Sequence, residues 1–171
     1  MKIGILGSGM VGKALAAKLT EQGQDVMVSS RSPEKVAAWA ADAGVKVGSL
    51  SETAAHGEIM INATKGDASV DALRAAGEAN LADKILMDIA NPLDFSRGMP
   101  PTLWVSNTDS LGEQIQRAFP QMKVVKTLNT LNANLMVNPG GLGGGDHTIF
   151  VSGNDAAQSA WVDHQVGVEG V

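Results

Sequence analysis

The sequence predicts a doubly wound α/β fold, a mostly parallel sheet held between two layers of helices in a three-layer αβα arrangement. Three observations carry that expectation. Short apolar runs alternate with segments of helical period along most of the chain, and parallel strands need crossover connections of that kind. The run EIMIN (58 to 62) is apolar through its middle without polar alternation, as a strand covered on both faces should be. The first apolar run passes at once into the glycine turn GSGMVG (7 to 12) and then into a helix.

Each element has its own local reason. KIGIL (2 to 6) is the first strand, and residues 11 to 23 place Val11, Leu15, Ala16 and Leu19 at helical spacing before Gly23 stops them. DVMVS (25 to 29) is the second strand. Ser32 then reads as an N-cap, with Pro33 at the first helical position and Gly44 closing the helix. VKV (45 to 47) is a short third strand, a brief helix starts at Ser51, and 58 to 62 is the fourth strand. A helix over 67 to 77 leads to the strand KILMDI (84 to 89) and a proline-rich loop. Ser110 caps a helix over 111 to 119, MKVVKTL (122 to 128) is the sixth strand, and HTIFVSG (147 to 153) is the last. PGGLGGGD (139 to 146) reads as a mobile loop or a lid.

A chain of 171 residues that is 44% hydrophobic suits one core of ordinary size. The expected division is a dinucleotide-binding domain over 1 to 156 and a tail over 157 to 171 with no clear helical period. The net charge of −5, without a basic run, argues against nucleic acid or a membrane surface as partner and for small-molecule cofactors. The chain has no cysteine, which excludes disulfides and thiolate chemistry and fits a reducing compartment. No apolar run reaches membrane-spanning length, and Met1-Lys2 leads directly into a strand, so the expectation is a soluble cytoplasmic protein.

The glycine turn matches G-x-G-x-x-G in the strand-turn-helix context that gives the pattern meaning. Gly7 permits the tight turn, Gly9 lets the backbone approach a pyrophosphate, and Gly12 lets the helix pack against the strand. Ser8, Met10 and Val11 complete the loop, and the helix start supplies free N–H groups for an anion. This is the Rossmann arrangement. In an NAD-binding unit the second strand ends on Asp or Glu, which binds the ribose hydroxyls and repels a 2′-phosphate. Here Ser29, Ser30 and Arg31 stand there instead. Arg31 offers a planar fork to phosphate oxygens, Ser30 a hydroxyl and Lys35 a second cation, so the expected cofactor is NADP.

The remaining chemistry is sparse. His56, His147 and His164 have no acidic residue at catalytic or metal-ligand spacing, so neither a metal site nor a nucleophilic triad is expected. Tyrosine is absent, which removes the usual proton donor of alcohol-forming reductases, and no catalytic residue is assigned. Hydride exchange between two cofactors needs no such donor, only rings held in reach and water kept out. Asp88, Asp94 and Asp109 read as strand-end, turn and cap residues, and Trp39 and Trp104 as packing residues.

GILGSGMVGKALA, SSRSPEK, the stretch from Asp88 to Pro120, KVVKTLNTLNANLMVNP and HTIFVSGND resemble the NADP oxidoreductases of the coenzyme F420-dependent family. The resemblance covers residues 1 to about 156. It implies hydride transfer between NADPH and a deazaflavin of the F420 type. The related domains of membrane ferric reductases suggest the alternative of a flavin or ferric-chelate reductase, and a non-catalytic NADP-binding module is a third reading. The resemblance also implies that Ser30, Arg31 and Lys35 contact the 2′-phosphate, and that Ala63, Thr64, Asn91 and Pro92 lie along the nicotinamide half. Asn129, Thr130 and Leu131 would meet the second substrate. Family members continue past this point with helical segments that finish the second pocket and a homodimer contact, whereas residues 158 to 171 depart from the pattern. Lys65 stands where a neutral residue is expected, either touching a cofactor phosphate or lying on the surface.

Overall fold

The structure, a computed structural model, describes residues 1 to 168. Strand β1 (Lys2–Leu6) leads into helix α1 (Met10–Glu21), and β2 (Asp25–Ser29) is followed by a 3-10 turn, Pro33–Lys35, and α2 (Ala37–Ala43). Next come β3 (Lys46–Gly48), α3 (Leu50–His56), β4 (Ile59–Asn62), α4 (Ser69–Ala76), α5 (Glu78–Leu81) and β5 (Ile85–Asp88). A small hairpin, β6 (Leu93–Asp94) with β7 (Thr102–Leu103), precedes α6 (Leu111–Ala118) and β8 (Lys123–Lys126). The last elements are α7 (Ala133–Val137), β9 (Ser152–Gly153) and α8 (Ala156–Val168).

The main sheet runs β3-β2-β1-β4-β5-β8-β9, and every pairing is parallel except β8 with β9. The fold is therefore doubly wound α/β. Strand order runs outward from β1 to β3 and then restarts on the other side of β1 with β4. The crevice at the carboxyl ends of β1 and β4 is the topological switch point, where open α/β sheets bind ligands.

Helices cover both faces, so consecutive residues of one strand are buried on opposite sides. Ile3, Ile5, Val28, Ile61 and Val125 pack with Leu15 and Leu19 of α1 on one face. Leu6, Met60 and Leu86 pack with Leu73, Leu111 and Ile115 of α4 and α6 on the other.

Besides the hairpin, α5 and α7, which the sequence reading leaves as loops, the structure departs from expectation as follows. The second helix is interrupted: Ser32 makes no side-chain cap, and Val36 at φ −114° separates the 3-10 turn from α2. Helix α3 begins at Leu50, one residue before Ser51, because Ser49 rather than Ser51 is its cap: Ser49 and Glu52 form a capping box, with Oγ accepting from Glu52 N at 3.2 Å and Oε2 accepting from Ser49 N at 2.7 Å. The expected last strand shrinks to Ser152–Gly153 on the sheet edge. The segment without a clear helical period is helical from Ala156 to Val168, because Val162 is fully buried and Trp161 packs on the core; residues 169 to 171 lie outside the described part.

Candidate functional site

The switch point is built on the glycine turn. Gly7 has φ +109°, and a Cβ there would fall 2.6 Å from the Ala63 carbonyl oxygen. At Gly12 a Cβ would stand 2.0 Å from the Gly7 carbonyl oxygen, so α1 seats directly on the turn. Ser29 at the end of β2 is buried, and its Oγ accepts the Gly7 N–H at 2.9 Å. The serine nearest the missing acid therefore faces inward and ties strand to turn.

Gly9 differs from both. Its backbone, φ −75° and ψ −172°, suits any residue, and a Cβ there would meet nothing within 4 Å. The fold does not demand this glycine; it leaves open space in front of the helix start. The first helical bond at that end is Lys13 N–H to Gly9 carbonyl, 2.9 Å, and no side chain caps the turn. The N–H groups of Met10, Val11 and Gly12 consequently have no partner inside the helix.

Beyond β2, Ser30 Oγ accepts the Ser32 N–H at 3.2 Å, which leaves its own O–H free to donate. Arg31 and Lys35 are exposed, and neither pairs with a carboxylate among the described residues. One cation escaped the sequence reading: Lys13 Nζ lies 5.1 Å from the centre of the Trp39 ring. Trp39 is thus a packing residue with a cation over its face.

Two cavities open along the carboxyl edge of the sheet. The first, about 640 Å³, is lined by Val11, Ala63, Thr64 and Asn91, with Phe95 and Trp104 from the hairpin. Lys65 also lines it and is exposed. Trp104 is 41% exposed, less engaged in packing than the sequence suggested. The second, about 610 Å³, is lined by Asn91, Pro92, Lys126, Asn129 and Ser152. The cavities meet at Asn91, whose Nδ2 donates to the Asn129 carbonyl at 2.7 Å while Asn129 Nδ2 donates back to Asn91 Oδ1 at 3.2 Å. Of the other two residues expected to meet the second substrate, Thr130 is exposed and Leu131 packs against the core.

Behind the cavities lies a buried polar network that the sequence reading missed. Asp88 Oδ2 accepts from Lys126 Nζ at 3.0 Å, and its Oδ1 accepts from Asn62 Nδ2 at 2.8 Å. The sequence signal was slight, a lone acid closing an apolar strand. Two acids nearer the surface, Asp94 and Asp109, are shifted toward the ionised form. The Ser96 N–H on Asp94 keeps that carboxyl below its usual range, and Arg117, whose Nη2 donates to both Asp109 oxygens at 2.8 and 3.0 Å, lowers Asp109 to about 2. Away from the site, His56 Nε2 lies 3.0 Å from the Asp25 carbonyl oxygen and 3.3 Å from Asp25 Oδ1, a pairing that spacing along the chain does not reveal. Among the described residues no group of three potential metal ligands comes together, and no helix is long and apolar enough to cross a membrane.

Residues 2–92, which hold the glycine turn, the β2 end and the loops that follow β4 and β5, match the family of NADP oxidoreductases, coenzyme F420-dependent. The chain belongs to this family. Its members include NADP-dependent oxidoreductases, and the chain is 52% identical to a crystallised candidate F420-dependent NADP reductase from Arthrobacter sp. FB24, with a TM-score of 0.94 over 98% of this chain and 80% of that one. A hypothetical protein from Sinorhizobium meliloti is 25% identical, with a TM-score of 0.81 over 99% of this chain and 82% of that one. The rat (Rattus norvegicus) metalloreductase STEAP3 is 30% identical over 132 residues, 77% of this chain, and the match spans only 25% of the rat protein.

The residues present fit the cofactor of the F420-dependent NADP oxidoreductase family. An uncapped helix start with open space at Gly9 suits a pyrophosphate, and two unpaired cations beside a free hydroxyl suit a phosphate monoester. Met10, Val11 and Gly12 would hold the former through their N–H groups, and Ser30, Arg31 and Lys35 the latter.

Proposed function

We propose that this chain transfers hydride between NADPH and a deazaflavin coenzyme of the F420 type. The observation that carries the reading is the pair of cavities meeting at Asn91: one adjoins the glycine turn and the other lies beyond it. Such a pair suits two ring systems side by side. Bound NADPH supplies the hydride from its nicotinamide. The chain itself orients and shields: Ala63, Thr64, Asn91 and Pro92 wall the nicotinamide half, and Asn129 walls the acceptor. With no tyrosine in the sequence, and Asp94 and Asp109 held as carboxylates, these groups offer no general acid at neutral pH for a carbonyl substrate. Transfer from one cofactor ring to another fits that poverty. The likeness to the Arthrobacter protein supports the same acceptor class.

The likeness to the metalloreductase favours a second reading, in which the electrons pass to a flavin or a ferric chelate. The two separate in one assay. NADPH oxidation is followed with deazaflavin, flavin mononucleotide or ferric citrate as acceptor, each in turn. The proposal expects turnover that depends on deazaflavin and is slow with the others. Turnover with flavin or ferric citrate alone would support the second reading, and NADPH binding without turnover would make the chain a cofactor-binding module.

A further inference from the structure

The buried network behind the two cavities does more than close a strand end. Asp88, fully buried at the carboxyl end of β5, spends both carboxylate oxygens on neighbours. Oδ1 accepts Asn62 Nδ2 at 2.8 Å and the Ala90 N–H at 3.2 Å, and Oδ2 accepts Lys126 Nζ at 3.0 Å. Lys126 also donates to the Ala90 carbonyl oxygen, so this one peptide segment is gripped at both its N–H and its C=O. Asn62, fully buried at the end of β4, passes the constraint to the neighbouring loop. Its Oδ1 accepts from Thr64 Oγ1 at 2.7 Å and from the Thr64 N–H at 3.3 Å, and its Nδ2 reaches Ser69 Oγ at 3.0 Å.

The two loops so fixed, at Ala63–Thr64 and Ala90–Asn91, both line the first cavity. They also touch each other: a Cβ on Gly66 would stand 2.3 Å from the Asn91 carbonyl oxygen. A buried ion pair seldom adds net stability, because desolvation offsets attraction, and in some proteins such a pair instead holds a particular geometry. We infer that Asp88 and Lys126 are positioning residues for the nicotinamide half of the cofactor site, acting through Asn62 and Ala90 on Thr64 and Asn91. The inference rests on the reading of the first cavity as that half. Neither residue is placed at the adenosine end, where Arg31 and Lys35 lie beyond β2 on the opposite side of β1.

The test separates the two ends of the cofactor. Calorimetric titrations use NADPH and adenosine 2′,5′-bisphosphate, which keeps the phosphate-bearing half and lacks nicotinamide. The proteins are the unmutated chain, Lys126→Arg, the double variant Asp88→Asn with Lys126→Met, and Asp88→Asn alone. The single variant is the gentler change, since Lys126 is 23% exposed and keeps its bond to Ala90. Affinity for the bisphosphate should stay within about twofold throughout, while NADPH weakens roughly tenfold in the double variant and about threefold in Asp88→Asn, the scale of one or two hydrogen bonds. Lys126→Arg should keep most of the NADPH affinity. Equal weakening of both ligands would reduce the pair to a structural role, and unchanged NADPH binding in both Asp88→Asn variants would overturn the inference. If the unmutated chain binds no bisphosphate, the cofactor reading itself fails and takes this inference with it.

Discussion

At Gly9 the backbone would accept any side chain, and a Cβ would meet nothing within 4 Å. Gly9→Val should therefore fold with a melting temperature near that of the unmutated protein yet lose NADPH binding, a dissociation measurable by thermal unfolding beside titration. A variant that binds normally would remove the pyrophosphate from this turn. Gly12→Ala should behave in the opposite way, since its Cβ would stand 2.0 Å from a backbone oxygen and α1 would have to move. Ser29→Ala leaves the part-buried Gly7 N–H without its acceptor, which should cost about 1 kcal/mol in denaturant unfolding. The glycines and the cations after β2 were legible because their chemistry is local. The inward turn of Ser29 was not, because its partner lies 22 residues earlier in the chain. Asp88 was read as a strand end for the same reason: Lys126 is 38 positions away.

Among the elements, α6 joins its cap to an ion pair. Ser110 Oγ accepts the Glu113 N–H at 3.2 Å, and Ser110→Ala should cost about 1 kcal/mol in the same unfolding assay. Arg117, in the last turn of α6, holds Asp109 down to about 2 from an ordinary 3.8. A depressed carboxylate contributes its stability above the unfolded-state value and loses it as pH falls through the folded one. The gap in melting temperature between the unmutated protein and Arg117→Ala should hold above about pH 4 and close between about 4 and 2; a gap unchanged down to pH 2 would contradict the pairing. Being exposed, the pair should also weaken with added salt. Most strands were legible from apolar runs, and α1 and α6 from period and caps. Helix α8 was not, because docking of Trp161 and Val162, not a clean amphipathic stripe, holds it in place. The capping box of α3 is legible in the sequence as Ser49 with Glu52, and Ser51, two residues on, is a helical residue and not the cap.

For the molecule as a whole, alternation of strands and helices was enough to give a parallel sheet, and the sheet order put the glycine turn at the switch point. What alternation could not give was the join between the two cavities, because Asn91 and Asn129 meet only after β5 and β8 pair. The last helix belongs to the same assembly: Val162→Asp buries a charge in the core and should cost several kcal/mol, or prevent folding, as judged by circular dichroism. If Ser30, Arg31 and Lys35 at the β2 end bind the 2′-phosphate, they select NADP over NAD. Parallel titration of the unmutated chain with NADPH and NADH tests it most directly, with Arg31→Ala as control. NADPH should bind about 10- to 100-fold more tightly, the worth of charge-assisted hydrogen bonds, and Arg31→Ala should lose most of that preference. Equal affinity for the two cofactors in the unmutated protein would contradict the account.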